Sequence, residues 1–272
     1  SVLAGIQSTP DYLLNTNLNG TINCLNFAVR HQAKFIFLST SRVYPIRNLE
    51  NIIYSEGDTR FHVSDNQELI GVSGKGISEN FPLNGYRSLY GTSKLASELL
   101  IHEYQEFYGL NTVINRCGVL TGPWQMGKVD QGVIVLWAAR HYWKQKLSYV
   151  GYGGSGKQVR DILHVDDLFQ LLKWQIANLP TINGEIFNVG GGKEVSVSLM
   201  ELTKICAEIT GNNIIIESIK ENRKADIPIY ITDNNKITQI SGWTPSITPY
   251  QILSEIVEWI RNNEKELENI LK

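Results

Sequence analysis

The chain has 272 residues, 42% of them hydrophobic and 19% charged, with a formal net charge of -2. That length supports one large domain or two modest ones, and the near-neutral balance offers no basic field for a nucleic acid. No apolar run approaches the roughly 20 residues that span a bilayer. Cys24, Cys117 and Cys206 lie far apart, with neither CxxC nor metal-ligand spacing. They read as reduced thiols of a cytoplasmic protein without a metal site.

The opening SVLAGIQSTPDYLLNTNLNG lacks an initiator Met, a basic n-region and an apolar h-region, so it is no signal peptide and reads like the middle of a domain. From about Asn17 to Ala33, Leu18, Ile22, Leu25 and Val29 recur at helical spacing. KFIFLS (34–39) is a short apolar run, as in a strand buried on both faces of a parallel sheet. A polar loop region with Gly71, Gly74 and Gly76 follows. A helix carrying Leu95, Leu99 and Phe107 begins near Ser88, and NTVINRCGVL (111–120) is a second buried strand.

TGPWQMG then interrupts, and a helix with Val133, Leu136 and Trp137 follows. HVDDLFQLLKWQIAN has helical spacing, and GEIFNVGGG reads as strand then turn. Ser198 and Glu201 form a capping box, and Thr248, Pro249 and Gln251 start a last helix whose Leu253, Ile256, Val257 and Ile260 share a side. Strands alternating with helices predict an α/β doubly wound, Rossmann-like parallel sheet. Such a fold normally opens with a strand, a Gly-rich turn and a helix that holds pyrophosphate. No Gly-rich turn stands in that context here. GYGGSG (151–156) and GGG (190–192) come late and read as ordinary turns.

Chemistry concentrates in two stretches. SLYGTSK (88–94) sets Tyr90 four residues ahead of Lys94. A phenol titrates near pH 10, and an ammonium one helical turn away would favour the phenolate. FLSTSRVY places Ser39, Thr40 and Ser41 where the strand ends, so a hydroxyl could complete a proton relay to a substrate alcohol. By spacing alone the pair could equally be an amphipathic tyrosine and a solvated lysine on one helix. Tyr142 and Lys146 repeat the spacing without a preceding strand end and read as structural.

STSRVY, YGTSK, RDILHVDD, FNVGGG and GWTPS stand in the order found in extended short-chain dehydrogenases/reductases acting on nucleotide sugars, and the resemblance runs over essentially the whole chain. RCGVLTGPWQMGKVDQG with GKQVRDILHVDDL looks most like the CDP-paratose 2-epimerase (CDP-tyvelose epimerase) branch. The resemblance implies NAD as cofactor, a nucleotide-sugar substrate and a homodimer formed through the helix bearing Tyr90 and the helix after Asn17. Members start with the Gly-rich dinucleotide turn, so roughly 85 further residues would precede Ser1, and the chain reads as lacking much of the NAD-binding half. The implied division is a partial NAD-binding domain, 1–118 with 160–193, and a smaller nucleotide-sugar-binding α/β domain, 119–159 and 194–272.

By the same resemblance, Tyr90 matches the catalytic tyrosine, Lys94 the lysine on the nicotinamide ribose, and Thr40 the residue hydrogen-bonded to the sugar hydroxyl. Asn17, Ser39 and Cys117 fall near the cofactor. Arg160, Arg223 and Asp226 match holders of the diphosphate and ribose, Ser148 and Val150 line the base, and Asp130 and Gln131 touch the sugar. His164 and Asp167 fit a packing or capping role. Val119 stands three residues after Arg116 where many relatives have asparagine, so that contact is not carried over.

Dehydratases of this type show T-D-E where this chain has Thr40, Ser41 and Arg42. Without that carboxylate, dehydration and decarboxylation are disfavoured. The expected function is NAD-dependent epimerisation, at C2 of a CDP-3,6-dideoxyhexose. The alternatives are a 4-epimerase or 4-reductase on a UDP- or dTDP-sugar, or a non-catalytic nucleotide-binding scaffold.

Overall fold

In the computed structural model the described residues are 9–127, 132–223 and 225–272. Pro10 opens α1 (Pro10–Leu14), since its missing N–H would be unpaired there anyway. The backbone then widens into a π-helical segment, Asn15–Asn19, and resumes as α2 (Gly20–His31). The sequence placed one regular helix from 17; the π segment is invisible to a 3.6-residue period.

The strands β1 (Phe35–Thr40), β6 (Thr112–Cys117) and β10 (Ile186–Val189) form a parallel sheet in the order β1-β6-β10. Thr40 and Val189 both lie level with Cys117, so the three strands end together. The central strand is buried along its whole length, as its Val113 and Ile114 require. On one face α2 and α4 (Leu89–Tyr108) pack Leu25, Ala28 and Ile101 against Phe37 and Ile114. On the other, Leu168 and Leu171 of α6 (Val165–Asn178) and Ile237 of α8 (Asn235–Ser241) meet Val113 and Phe187.

Between β1 and α4 lie α3 (Ile46–Glu50) and two hairpins: β2 (Tyr54–Glu56) with β3 (Phe61–Val63), and β4 (Val72–Ser73) with β5 (Gly76–Ile77). This stretch reads as a polar loop in the sequence, because strands of two or three residues carry no periodicity.

At Gly118 the chain leaves the first sheet and enters a second one. β7 (Val119–Thr121), β9 (Val159–His164), β11 (Ser196–Ser198) and β13 (Ile229–Tyr230) make it up, with β9 paired to the other three. The expected division therefore needs correction, since 159–164 pairs with this second sheet and α8 returns to the first. A Cβ on Gly118 would crowd Asp161 and Thr232, so a side chain at the crossing point would press these two neighbours aside. α5 (Val133–Tyr142), α7 (Leu199–Thr210) and α9 (Pro249–Asn262) bury Trp137, Leu202, Ile256 and Ile260 in the second core, with α10 (Glu264–Leu271) closing it. β8 (Leu147–Val150) pairs with β12 (Ile216–Ile219).

Both sequence capping boxes are present, at Ser198–Glu201 and Thr248–Gln251. GYGGSG, which by letter satisfies G-x-G-x-x-G, makes a short 3-10 turn at Tyr152–Gly154 and leads into β9 rather than a helix. It therefore offers no helix N-terminus to a pyrophosphate. Among the described residues no helix is long and apolar enough to cross a membrane.

Candidate active site

A cleft of about 520 Å³ opens at the C-terminal ends of β1 and β6, between the two sheets. Ser39, Thr40, Tyr90, Cys117 and Gly118 line it from the first half, and Ser148, Val150, Arg160, Arg223 and Asp226 from the second. Its position follows the rule for open parallel sheets, whose ligand crevices lie beyond the carboxyl ends of the strands.

Thr40 is the last residue of β1, and its hydroxyl accepts from the Arg42 N–H (3.2 Å), capping a 3-10 turn at Ser41–Val43. Tyr90 is the second residue of α4, whose N-cap Ser88 accepts from the Gly91 N–H (3.2 Å). A Cβ at position 91 would collide with the Arg42 carbonyl. Glycine thus lets the helix start press against the turn that follows Thr40. Burial pushes the Tyr90 phenol above its ordinary value, against the downward pulls of the Thr40 hydroxyl and the Arg42 charge. The positive end of α4 adds a further preference for the phenolate.

Lys94 departs from the expectation that its ammonium stands against the phenol. Its Nζ donates to the Leu38 carbonyl (2.9 Å) and lies 4.5 Å from the centre of the Phe37 ring. Burial lowers its pKa, partly opposed by Cys117 and Glu98. The cation whose charge reaches the phenol is Arg42. Asn17 Nδ2 donates to Ser93 Oγ (3.0 Å), which donates to the Tyr90 carbonyl (2.8 Å). Asn17 therefore acts on the first turn of α4 through Ser93.

Beneath the strand ends lies a buried charged chain that sequence reading missed. Ser39 Oγ donates to Glu98 Oε1 (2.5 Å), Arg116 Nη2 donates to Glu98 Oε2 (2.7 Å), and Arg116 Nη1 reaches the Tyr44 hydroxyl (3.4 Å). Tyr44 donates to Asn188 Oδ1 (2.7 Å), and the Asn188 N–H to Glu79 Oε1 (2.6 Å). The available signal was the helical repeat Tyr90, Lys94, Glu98, which puts all three on one face of α4. Burial pushes the Cys117 thiol up to about 12, so it is a neutral wall of the cleft.

On the far side Arg160 Nη2 donates to Asp226 Oδ1 (2.8 Å). Among the described cleft-lining residues Asp226 is the only carboxylate. Asp130 and Gln131 lie outside the described residues. His164 caps α6 by accepting from the Asp166 N–H (3.2 Å), and Asp167 accepts from Ser246 and Ile247, so both serve the fold. Tyr142 and Lys146 do not line the cleft. Among the described residues no cluster of three or more His, Cys, Asp or Glu could hold a metal.

The residues present fit the nicotinamide end of a dinucleotide. Ser39, Thr40 and Cys117 give a small-residue floor, and Lys94, which is not itself among the lining residues, keeps two ammonium donors near Cys117 after its bond to Leu38.

Residues 6–190 match the family described as NAD dependent epimerase/dehydratase. The chain is 31% identical over 254 residues to CDP-paratose 2-epimerase of Salmonella typhi, covering 89% of this chain and 70% of that protein. It is 25% identical over 274 residues to UDP-glucuronate 4-epimerase of Thermodesulfobacterium geofontis, covering 98% and 72%. Among solved structures it resembles UDP-glucose 4-epimerase from Thermotoga maritima with UDP-glucose, with a TM-score of 0.75, 25% identity, and coverage of 97% and 75%. It also resembles dTDP-glucose 4,6-dehydratase from Streptomyces venezuelae with NAD bound, with a TM-score of 0.72, 26% identity, and coverage of 96% and 70%.

Proposed function

The chain belongs to the NAD dependent epimerase/dehydratase family, and we propose that within it this protein is a nucleotide-sugar epimerase acting at C2 of a CDP-3,6-dideoxyhexose. One observation carries the choice of epimerisation: a strand-end hydroxyl and a helix-start phenol share a cleft in which, among the described residues, the one lining carboxylate, Asp226, is tied to Arg160. Dehydration needs an acid to protonate a leaving hydroxyl, and here Ser41 and Arg42 follow Thr40. The choice of C2 and of cytidine rests on the likeness to the Salmonella 2-epimerase.

In this reading Tyr90 and Thr40 act directly on the sugar. Bound NAD supplies a hydride acceptor and donor. The Tyr90 phenolate takes the proton of the sugar hydroxyl while Thr40 holds its oxygen, and the same pair returns the proton after the keto-sugar has turned over. Lys94, with Asn17, Ser39 and Cys117, would keep the nicotinamide ribose and ring in place. Arg160, Arg223 and Asp226 would hold the diphosphate and ribose, and Ser148 and Val150 the base. Three unpaired cysteines favour a cytoplasmic setting. Phe27 (60% exposed), Leu99 (61%) and Phe107 (75%) on α2 and α4 favour a homodimer through these helices. Sedimentation should give a dimer that Leu99→Arg splits; a wild-type monomer would contradict it.

A second reading, 4-epimerisation of a UDP-sugar, draws on the likeness to the Thermotoga enzyme. The test is a panel of CDP-, UDP- and dTDP-sugars incubated with the protein and NAD, with products identified by NMR. A C2 epimer from the CDP-sugar is expected. Inversion at C4 of a UDP-sugar would select the second reading, and a 4-keto-6-deoxy product would contradict both.

A further inference from the structure

The guanidinium groups facing the cleft are not equally occupied. Arg160 donates through Nη1 to the Val159 carbonyl (2.7 Å) and through Nη2 to the Ile227 carbonyl (2.6 Å) and Asp226 (2.8 Å). The protein itself holds that side chain. Arg42, half-buried in the same cleft, makes one long bond among the described residues, from Nη1 to the Ala225 carbonyl at 3.5 Å. No described carboxylate forms an ion pair with it, while Asp226 Oδ1 accepts from Arg160 and from the Ile227 N–H (2.9 Å).

Its neighbourhood is defined on both sides. Arg160, Asp226, Tyr90 and Tyr230 all lie close enough to act on its charge, and burial and Arg160 both press against it. Arg223 lines the same cleft, so three cations face the one described carboxylate, a cost that an entering anion relieves. The backbone of Arg42 is held by the Thr40 cap and by Gly91. From there the head reaches Ala225 in the second half, with Tyr90 and the Arg160–Asp226 pair near enough to act on its charge.

We propose that Arg42 is a specificity-determining residue that grips the phosphate bearing the sugar of a nucleoside diphosphate sugar, so setting how far that phosphate stands from Tyr90. The inference rests on the nucleotide-sugar reading above. A guanidinium fork matches two phosphate oxygens, and most of its donors are free for them. The nucleoside's own first phosphate would lie further along, toward Arg160. A nucleoside diphosphate should then depend on Arg42, whereas a monophosphate should not.

The test is calorimetric titration of the full chain in the presence of NAD, with CDP against CMP and UDP against UMP. Wild type, Arg42→Gln and Arg42→Lys are compared. Losing charge-assisted bonds should weaken the diphosphate by about 10- to 100-fold in Arg42→Gln, with the monophosphate within about threefold of wild type. Arg42→Lys keeps the charge without the fork and should fall between them, which preserves the comparison if Arg42→Gln does not fold. Equal losses for mono- and diphosphate, or an unchanged diphosphate, would overturn the inference alone. A wild-type protein that binds none of the four nucleotides would overturn the nucleotide-sugar reading and the inference with it, a pattern distinct from either.

Discussion

At Tyr90 burial and hydrogen bonding oppose one another. Removing a phenolate from water raises its pKa, while the Thr40 hydroxyl and Arg42 pull it down, and burial is the larger influence. The base form therefore grows as pH rises, and turnover should climb from neutral into alkaline solution. Thr40→Val removes one of the two downward pulls, so the rising limb of its pH–rate profile should move to higher pH while kcat falls. An unshifted limb would show that the hydroxyl does not act on the phenol. Tyr90→Phe keeps the ring packing and removes the proton carrier. It should lower kcat by about 10²–10⁴-fold with nucleotide affinity unchanged, measured by steady-state kinetics beside calorimetry. Thr40 and Tyr90 were legible in the sequence because a strand end and a helix start are positions, and positions follow from patterns. The direction of Lys94 and the burial of Arg42 were not, since a long charged side chain reads as solvated unless its surroundings are known.

The element that organises this chemistry is α4. Its face carries Tyr90 to the cleft, Lys94 to the Leu38 carbonyl, and Glu98 to Ser39 and Arg116. Glu98 and Arg116 are almost wholly buried, with side chains 2% and 4% exposed. Removing one partner of such a pair leaves an unpaired buried charge and costs about 3–5 kcal/mol. Glu98→Ala should lower unfolding stability by that amount in urea titration and loosen the Ser39–Thr40 strand end, so kcat should fall as well. Replacing both residues, as Glu98→Met with Arg116→Met, should recover most of the stability because no lone charge remains. A double variant no more stable than Glu98→Ala would contradict this. The strand NTVINRCGVL was readable as apolar, yet its arginine gave no hint of an inward partner. The split at Gly118 was equally hidden, because six residues serve one sheet and the next three another.

Across the whole molecule, two halves meet at one cleft, and neither lines it alone. The first brings Thr40 and Tyr90, the second Arg160, Arg223 and Asp226 with Ser148 and Val150. Burial also shapes the response of the fold to pH. Burial holds the Tyr44, Tyr90 and Tyr230 phenols above their ordinary values and the Cys117 thiol at about 12. Each group prefers its neutral form in the fold, so its contribution is present below the unfolded value and is lost as pH rises through the folded one. Urea midpoints should therefore decline between about pH 8 and 11, where free thiols and phenols begin to ionise. A midpoint that stays flat over that interval would argue that these groups reach water.

The most direct test of hydride return with Tyr90 as proton carrier is the reaction run in deuterium oxide with a CDP-3,6-dideoxyhexose and NAD. The inverted carbon should keep its original hydrogen, with no deuterium detected there by NMR or mass spectrometry. Deuterium on that carbon would mean that the C–H hydrogen leaves as a proton, and the mechanism built on this cleft would be wrong.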